Sequence, residues 1–209
     1  IRHSDPAIIA DRRVSDADLA YSSDMYAHAK RIENTIGETG TAGSLNARVT
    51  AFENSLLSAA TNPASTQRLE NIATTATSLT RSLNDLSNEI QASRQAADRS
   101  IGLQVDSLNE ALGRLDKIND AVVKASSTGS DVATLYDERA KILDGISEIV
   151  PLRVVERDRG AISLFTTNGA VLLDGSPVKI GFEPVNAIGP IMSLAAGDLN
   201  GLTINGLDV

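Results

Sequence analysis

Between Ser65 and Ala125 the chain contains no proline and only two glycines, Gly102 and Gly113. Apolar residues recur there in steps of three and four. One run is Leu69, Ile72, Ala76, Leu79, Leu83, Leu86 and Ile90, and a second is Ile101, Val105, Leu108, Leu112, Leu115 and Val122. Such spacing draws one apolar stripe along a helix. The stripe weakens at Ser93 and Ala97 and resumes about four residues out of step, a stutter in the heptad. One unbroken helix of ~60 residues would be roughly 90 Å long at ~1.5 Å per residue, so the sequence predicts a rod.

Shorter helices flank it. The first is expected from Ser15, a candidate N-cap, to Ile36, with Asp16 and Asp18 at its positive end. Gly37, Gly40 and Gly43 then form a helix–helix connection. They have neither a preceding strand nor a Lys-Ser/Thr, which a phosphate-cradling loop would need. A second helix starts at Ser44, carries Leu45, Val49, Phe52, Leu56 and Ala59 on one stripe, and stops at Asn62-Pro63. A fourth spans 131–149, with Val132, Leu135, Ile142, Ile146 and Ile149 at heptad spacing. Arg139 is the polar intruder, with an ion pair to Asp85 or Glu89 within the chain as its expected contact and an intersubunit contact as the alternative. Glu110–Arg114 and Asp120–Lys124 are i, i+4 pairs in the favourable order.

After Pro151 the period becomes two. Strands are expected at 152–156, 161–166, 170–173, 178–182, 191–194 and 202–204, with Asn168-Gly169 as a strong hairpin signal. Short linkers make helices antiparallel neighbours. The fold class is therefore α+β: an elongated antiparallel helical bundle with one very long helix, followed by a small β-rich domain. Residues 1–150 form the helical rod domain, and 151–209 a β-rich domain that reads as incomplete.

Chemistry is sparse. The 209 residues hold 27 acidic and 19 basic side chains for a formal charge of −8. That balance argues against a phosphate-backbone binder. Cysteine is absent, which removes disulfides and thiolate metal sites. Aromatics are 3% with no Trp, too few for a base-stacking platform. No apolar run reaches the ~18 residues of a membrane span. His3 and His28 have no second ligand at metal spacing. There is no Gly-x-Ser-x-Gly elbow. Glu53 with Glu70 is better explained as solvated surface than as a catalytic pair. The run from Gly197 to Asp208 lacks the Gly and Glu positions of an EF-hand, so it reads as two turns around a short strand. No catalytic, cofactor or metal residue is assigned, and no enzyme is expected. The heptads serve an intrachain core or a partner helix equally well.

Specific wording accompanies this order of elements. Phe-Glu-Asn-Ser-Leu at 52–56, Asn-Pro-Ala-Ser-Thr-Gln-Arg at 62–68, Leu-Thr-Arg-Ser-Leu-Asn-Asp-Leu at 79–86 and Val-Asp-Ser-Leu-Asn at 105–109 come first. Leu-Tyr-Asp-Glu-Arg-Ala-Lys-Ile-Leu-Asp at 135–144 follows, then the strand Leu152–Glu156 and the hairpin Ser163–Gly169. Together they resemble the flagellar hook-associated protein 1 (FlgK) family over about residues 15–182. Ala140 stands where that family usually has Asp, and the family's terminal helices, which form its inner coiled-coil tube, are not in this sequence.

The resemblance implies a structural subunit joining hook to filament. It would be exported by the flagellar type III system to the extracellular flagellum. Implied partners are other copies in a ring of full-length protein, the hook protein, and the next junction protein or the filament. An export chaperone would bind through a C-terminus outside this sequence, and neither nucleic acid nor membrane is a partner. Flagellin, the second junction protein and a coiled-coil signalling module remain alternatives.

Overall fold

A computed structural model describes residues 5–208 of the chain. Four α-helices come first: α1 Pro6–Ile36, α2 Leu45–Thr61, α3 Thr66–Thr128 and α4 Ala133–Ser147. Seven short strands follow: β1 Leu152–Glu156, β2 Ile162–Thr166, β3 Val171–Asp174, β4 Ser176–Pro177, β5 Ile180–Gly181, β6 Thr203–Ile204 and β7 Leu207–Asp208. The α+β order and the very long helix match the sequence expectation, with α3 running unbroken for 63 residues.

The helix starts show how local chemistry sets boundaries. Ser44 caps α2 by accepting the Ala47 N–H at 3.3 Å. Ser15 does not cap α1. It lies inside the helix and returns its hydroxyl to the Asp11 carbonyl at 3.0 Å. The helix begins at Pro6 instead, because Asp5 accepts the Ala7 N–H at 2.9 Å and a proline in the first turn has no N–H to lose. Likewise α4 begins at Ala133, two places later than expected, where Asp131 accepts the Ala133 N–H at 2.9 Å.

By packing, the chain divides into two compact units. One comprises the chain up to Asp24, Asp98–Asn186 and the chain from Ser193 onward. Its core joins Val105, Leu108, Leu112 and Leu115 of α3 to Leu143 and Ile146 of α4 and to Leu152, Ile162, Leu164, Leu172, Leu173 and Ile180 of the strand region. The buried stripe of α3 here follows the expected seam, with Ile118 added and Gly102 buried in place of Ile101, which is 40% exposed.

Two antiparallel sheets belong to this unit, in the orders β1-β2-β3-β4 and β5-β6-β7. The β1–β2 register runs from Leu152 opposite Thr166 to Glu156 opposite Ile162. A bulge between Leu164 and Phe165 shifts the β2–β3 register. The hairpin forms at Asn168-Gly169 as expected, with Gly169 at φ +90°.

The second unit comprises Met25–Ala97 and Ala187–Met192. Here α2 and α3 lie antiparallel. Ser55 Oγ meets Thr75 Oγ1 at 2.9 Å, Arg48 hydrogen-bonds Ser78, and Arg68 reaches the Ser58 carbonyl at 2.5 Å. The buried face of α2 is therefore Ser55 and Ala59. Val49 and Leu56, expected on the inner stripe, are 36% and 43% exposed. Short Ser, Thr and Ala side chains let the two helices approach closely, which turns the larger aliphatics aside.

The segment 191–194 is not a strand. Ile191 is 92% exposed, and the preceding residues turn, with the Met192 N–H donating to the Gly189 carbonyl at 3.3 Å. Its Met192 carbonyl serves Arg94, and its Ser193 and Leu194 carbonyls accept the N–H groups of Asp198 and Gly197 instead of a ladder.

Candidate interaction surfaces

In the first unit α3 carries three polar side chains that grip backbone. Asn119 is buried; its Nδ2 donates to the Ile162 carbonyl at 2.8 Å and its Oδ1 accepts the Ile162 N–H at 3.2 Å. Asn109 repeats the arrangement on β5, with 2.7 Å to the Ile180 carbonyl and 3.0 Å from the Ile180 N–H. Asp98, 7% exposed, accepts the Val185 N–H at 2.7 Å. These residues are spaced by ten and eleven positions, about three helical turns, and so share one side of α3. A carboxamide that presents its donor and acceptor to one residue substitutes for a neighbouring strand.

In the second unit the same helix holds the turn 187–192. Gln95 Oε1 accepts the Ile188 N–H at 2.9 Å. The Arg94 guanidinium donates to the Gly189 carbonyl at 3.0 Å and also to the Met192 carbonyl. Ser93, buried where the apolar stripe weakens, has its hydroxyl 2.9 Å from His28 Nδ1. The stutter is thus a polar platform. Its role escaped the sequence reading, which saw only missing hydrophobes.

Two arginine contacts tie helices to their surroundings in the first unit. Asp144 of α4 accepts from Arg12 at 2.6 Å and from Arg13 at 2.8 Å, and Arg13 is 7% exposed. Partial burial pushes the Asp144 carboxyl up, but the hydrogen bonds and charges of both arginines outweigh it and hold the group below its ordinary value. Arg139 donates to the Gly160 carbonyl at 2.6 Å and lies 4.7 Å from the centre of the Tyr136 ring. It does not use Asp85 or Glu89, which belong to the other unit. Burial lowers its guanidinium pKa, and the carbonyl and ring are its compensation. The expected Glu110–Arg114 and Asp120–Lys124 pairs are not among the ion pairs of the described residues. Exposed helix charges gain little from pairing.

The acidic and histidine candidates are dispersed. His3 lies outside the described residues, and Glu53 and Glu70 are both exposed. In the 197–208 run, Asp198 accepts the Ser193 N–H at 3.4 Å, while Asn205 accepts the Lys179 N–H at 2.9 Å. These oxygens build turns. Among the described residues no group of three or more His, Cys, Asp or Glu could hold a metal ion, and no helix is long and apolar enough to cross a membrane. An open groove of about 620 Å³ runs between α3 and α4, floored by Ser107, Ala111, Ile142 and Gly145 and edged by Arg114 and Lys141.

Fold and contacts define a helical domain in which one long helix holds a β-rich segment by its backbone. The model of the flagellar hook-associated protein FlgK helical domain matches residues 29–184. The chain belongs to that family. A solved structure described as the flagellar hook junction protein FlgK from Burkholderia pseudomallei is similar, with a TM-score of 0.74 and 20% identity. The similarity covers 82% of this chain but only 30% of that one. No curated protein sequence matches.

Proposed function

We propose that this chain is a non-catalytic, structural part of a bacterial flagellum, the helical portion of a subunit that joins hook to filament. The observation that carries the reading is the family match over residues 29–184. In the full-length subunit, copies associate side by side through their helices into a short ring. The hook protein lies on one side and the next junction protein or the filament on the other. Residues 151–209 face outward as a β-rich domain. Delivery is through the flagellar type III export system, with its chaperone bound to a C-terminal segment. Nucleic acid and membrane are not partners.

A chromosomal deletion of the whole gene tests this. Cells should build hooks, fail to retain filaments and shed flagellin into the medium, and the wild-type gene should restore filaments. Normal filaments in the deletion strain would remove the junction role. Purified full-length subunit should stop at a ring; growth into long filaments would favour a flagellin.

A further inference from the structure

Methionine is scarce in this chain, which has only Met25 and Met192. The two sit differently. Met25 lies on α1 and is 54% exposed. Met192 is half-buried at the end of the turn 187–192, and its side chain serves there as a polar group. Its Sδ accepts the Gly189 N–H at 3.1 Å, and its own N–H donates to the Gly189 carbonyl at 3.3 Å. One methionine therefore satisfies both main-chain groups of one residue. The thioether lies directly against that residue: a Cβ at Gly189 would stand 3.7 Å from the sulfur. The rest of the turn is held from α3. Gln95 accepts the Ile188 N–H, and Arg94 donates to the Gly189 and Met192 carbonyls. Carboxamide, guanidinium and peptide groups are inert to mild oxidants. A thioether is not: it is a weak acceptor whose remaining lone pair is nucleophilic.

We infer that Met192 is a modification site, and that its oxidation to the sulfoxide by a peroxide releases the Gly189 N–H and loosens the turn that displays Ile191. The step balances with hydrogen peroxide as the oxidant. A sulfur lone pair attacks one peroxide oxygen, the S–O bond forms as the O–O bond breaks, and the departing hydroxide takes the proton of the transferred oxygen to leave as water. Sulfur is oxidised by two electrons and the peroxide is reduced by two. The product cannot keep the present contact. With the Gly189 nitrogen 3.1 Å from the sulfur, no oxygen fits between them. A sulfoxide is also strongly polar, so a half-buried side chain that carries one is drawn toward water. Sulfoxide reductases return it to the thioether, which makes the change reversible. Ile191 at the tip of the turn, 92% exposed, then loses its fixed position. This site depends on the turn alone and is independent of the flagellar role.

Hydrogen peroxide added to the 209-residue chain carrying Met25→Leu is the test, with the wild type alongside. Peptide mass spectrometry should find one added oxygen in the variant, on Met192. Amide exchange at Gly189, followed by NMR, should then quicken at least roughly threefold, while exchange in α2 stays as it was. Methionine sulfoxide reductase should restore the slower exchange. Met192→Leu keeps the bulk of the side chain without its acceptor. It should show the quicker Gly189 exchange before any peroxide is added and no further change afterwards. Met192 left unoxidised by peroxide that converts Met25 of the wild type would overturn the proposal. So would oxidised Met192 with Gly189 exchange unchanged or slowed, or Met192→Leu exchanging like the wild type. Quicker exchange throughout α2 would overturn it as well, because the turn would then not be the part that yields.

Discussion

Asn119 holds Ile162 by both backbone groups at once, donating to its carbonyl and accepting its N–H from inside the core. No strand lies on that side of β2 at this residue, so the carboxamide takes the place of one. Asn119→Ala would leave a buried donor and a buried acceptor without partners. At about 1–3 kcal/mol for each of the two groups so stranded, the loss should be roughly 2–6 kcal/mol in urea unfolding. A loss below about 0.5 kcal/mol would show that water satisfies Ile162 without help.

Acid should loosen the contact between α1 and α4. The folded-state pKa of Asp144 lies below its unfolded value, so its stabilising effect is complete above the ordinary carboxylate pKa of about 4. That effect is lost as pH falls through the lower, folded-state value. Asp144→Asn should flatten this part of the stability–pH curve and raise amide exchange in residues 7–17. Identical acid profiles for variant and wild type would mean that Arg12 and Arg13 contribute nothing through this carboxylate.

Two glycines of α3 should respond oppositely to alanine. At Gly113 an added Cβ meets nothing within 4 Å, so Gly113→Ala should stabilise by about 0.5–1 kcal/mol through helix propensity. At Gly102 the Cβ would stand 2.7 Å from Pro184 Cγ, a ring atom that cannot swing away. Gly102→Ala should therefore forfeit that gain and displace 182–184. Thermal melts of the two variants decide the matter, and equal stabilisation would show that Pro184 yields freely.

Gly160 sits at φ +81°, and a Cβ there would lie 2.8 Å from the Tyr136 hydroxyl. Gly160→Ala should destabilise by about 1–3 kcal/mol. Arg139→Leu removes the donor to the Gly160 carbonyl and should cost about 1 kcal/mol. The double variant should lose less than the sum, since both act on one turn. Additive losses would uncouple Arg139 from Gly160.

Much of the architecture was legible because α3 has no helix breaker and repeats its hydrophobes faithfully. The phase of packing in the second unit was not legible. A stripe drawn through Leu, Val and Ile overlooks Ser55, Thr75 and Ser78, whose smallness brings α2 and α3 together off that stripe. Nor were the backbone grips seen. Asn109 and Asn119 stand one place beyond Leu108 and Ile118, where a count of apolar residues treats them as solvated. A signal existed: asparagine is a poor helix former, and two of them three turns apart in a helix interior invite a reason. Arg139 stands out in the sequence as a charge on an apolar stripe, but its acceptor is the Gly160 carbonyl, and a main-chain acceptor leaves no trace in sequence.

Where Asp98 and Gln95 hold residues 185 and 188, they accept main-chain N–H groups. These hydrogen bonds ask only for an N–H at 185 and 188, so proline is excluded at both, while the buried Ile188 side chain is held to an apolar residue by its packing. The prolines nearby, Pro184 and Pro190, have no N–H and occupy neighbouring positions where this fastening requires none. A long helix that fastens a segment by its main chain leaves exposed side chains there, such as those of Asn186 and Ala187, open to change while the attachment stays the same.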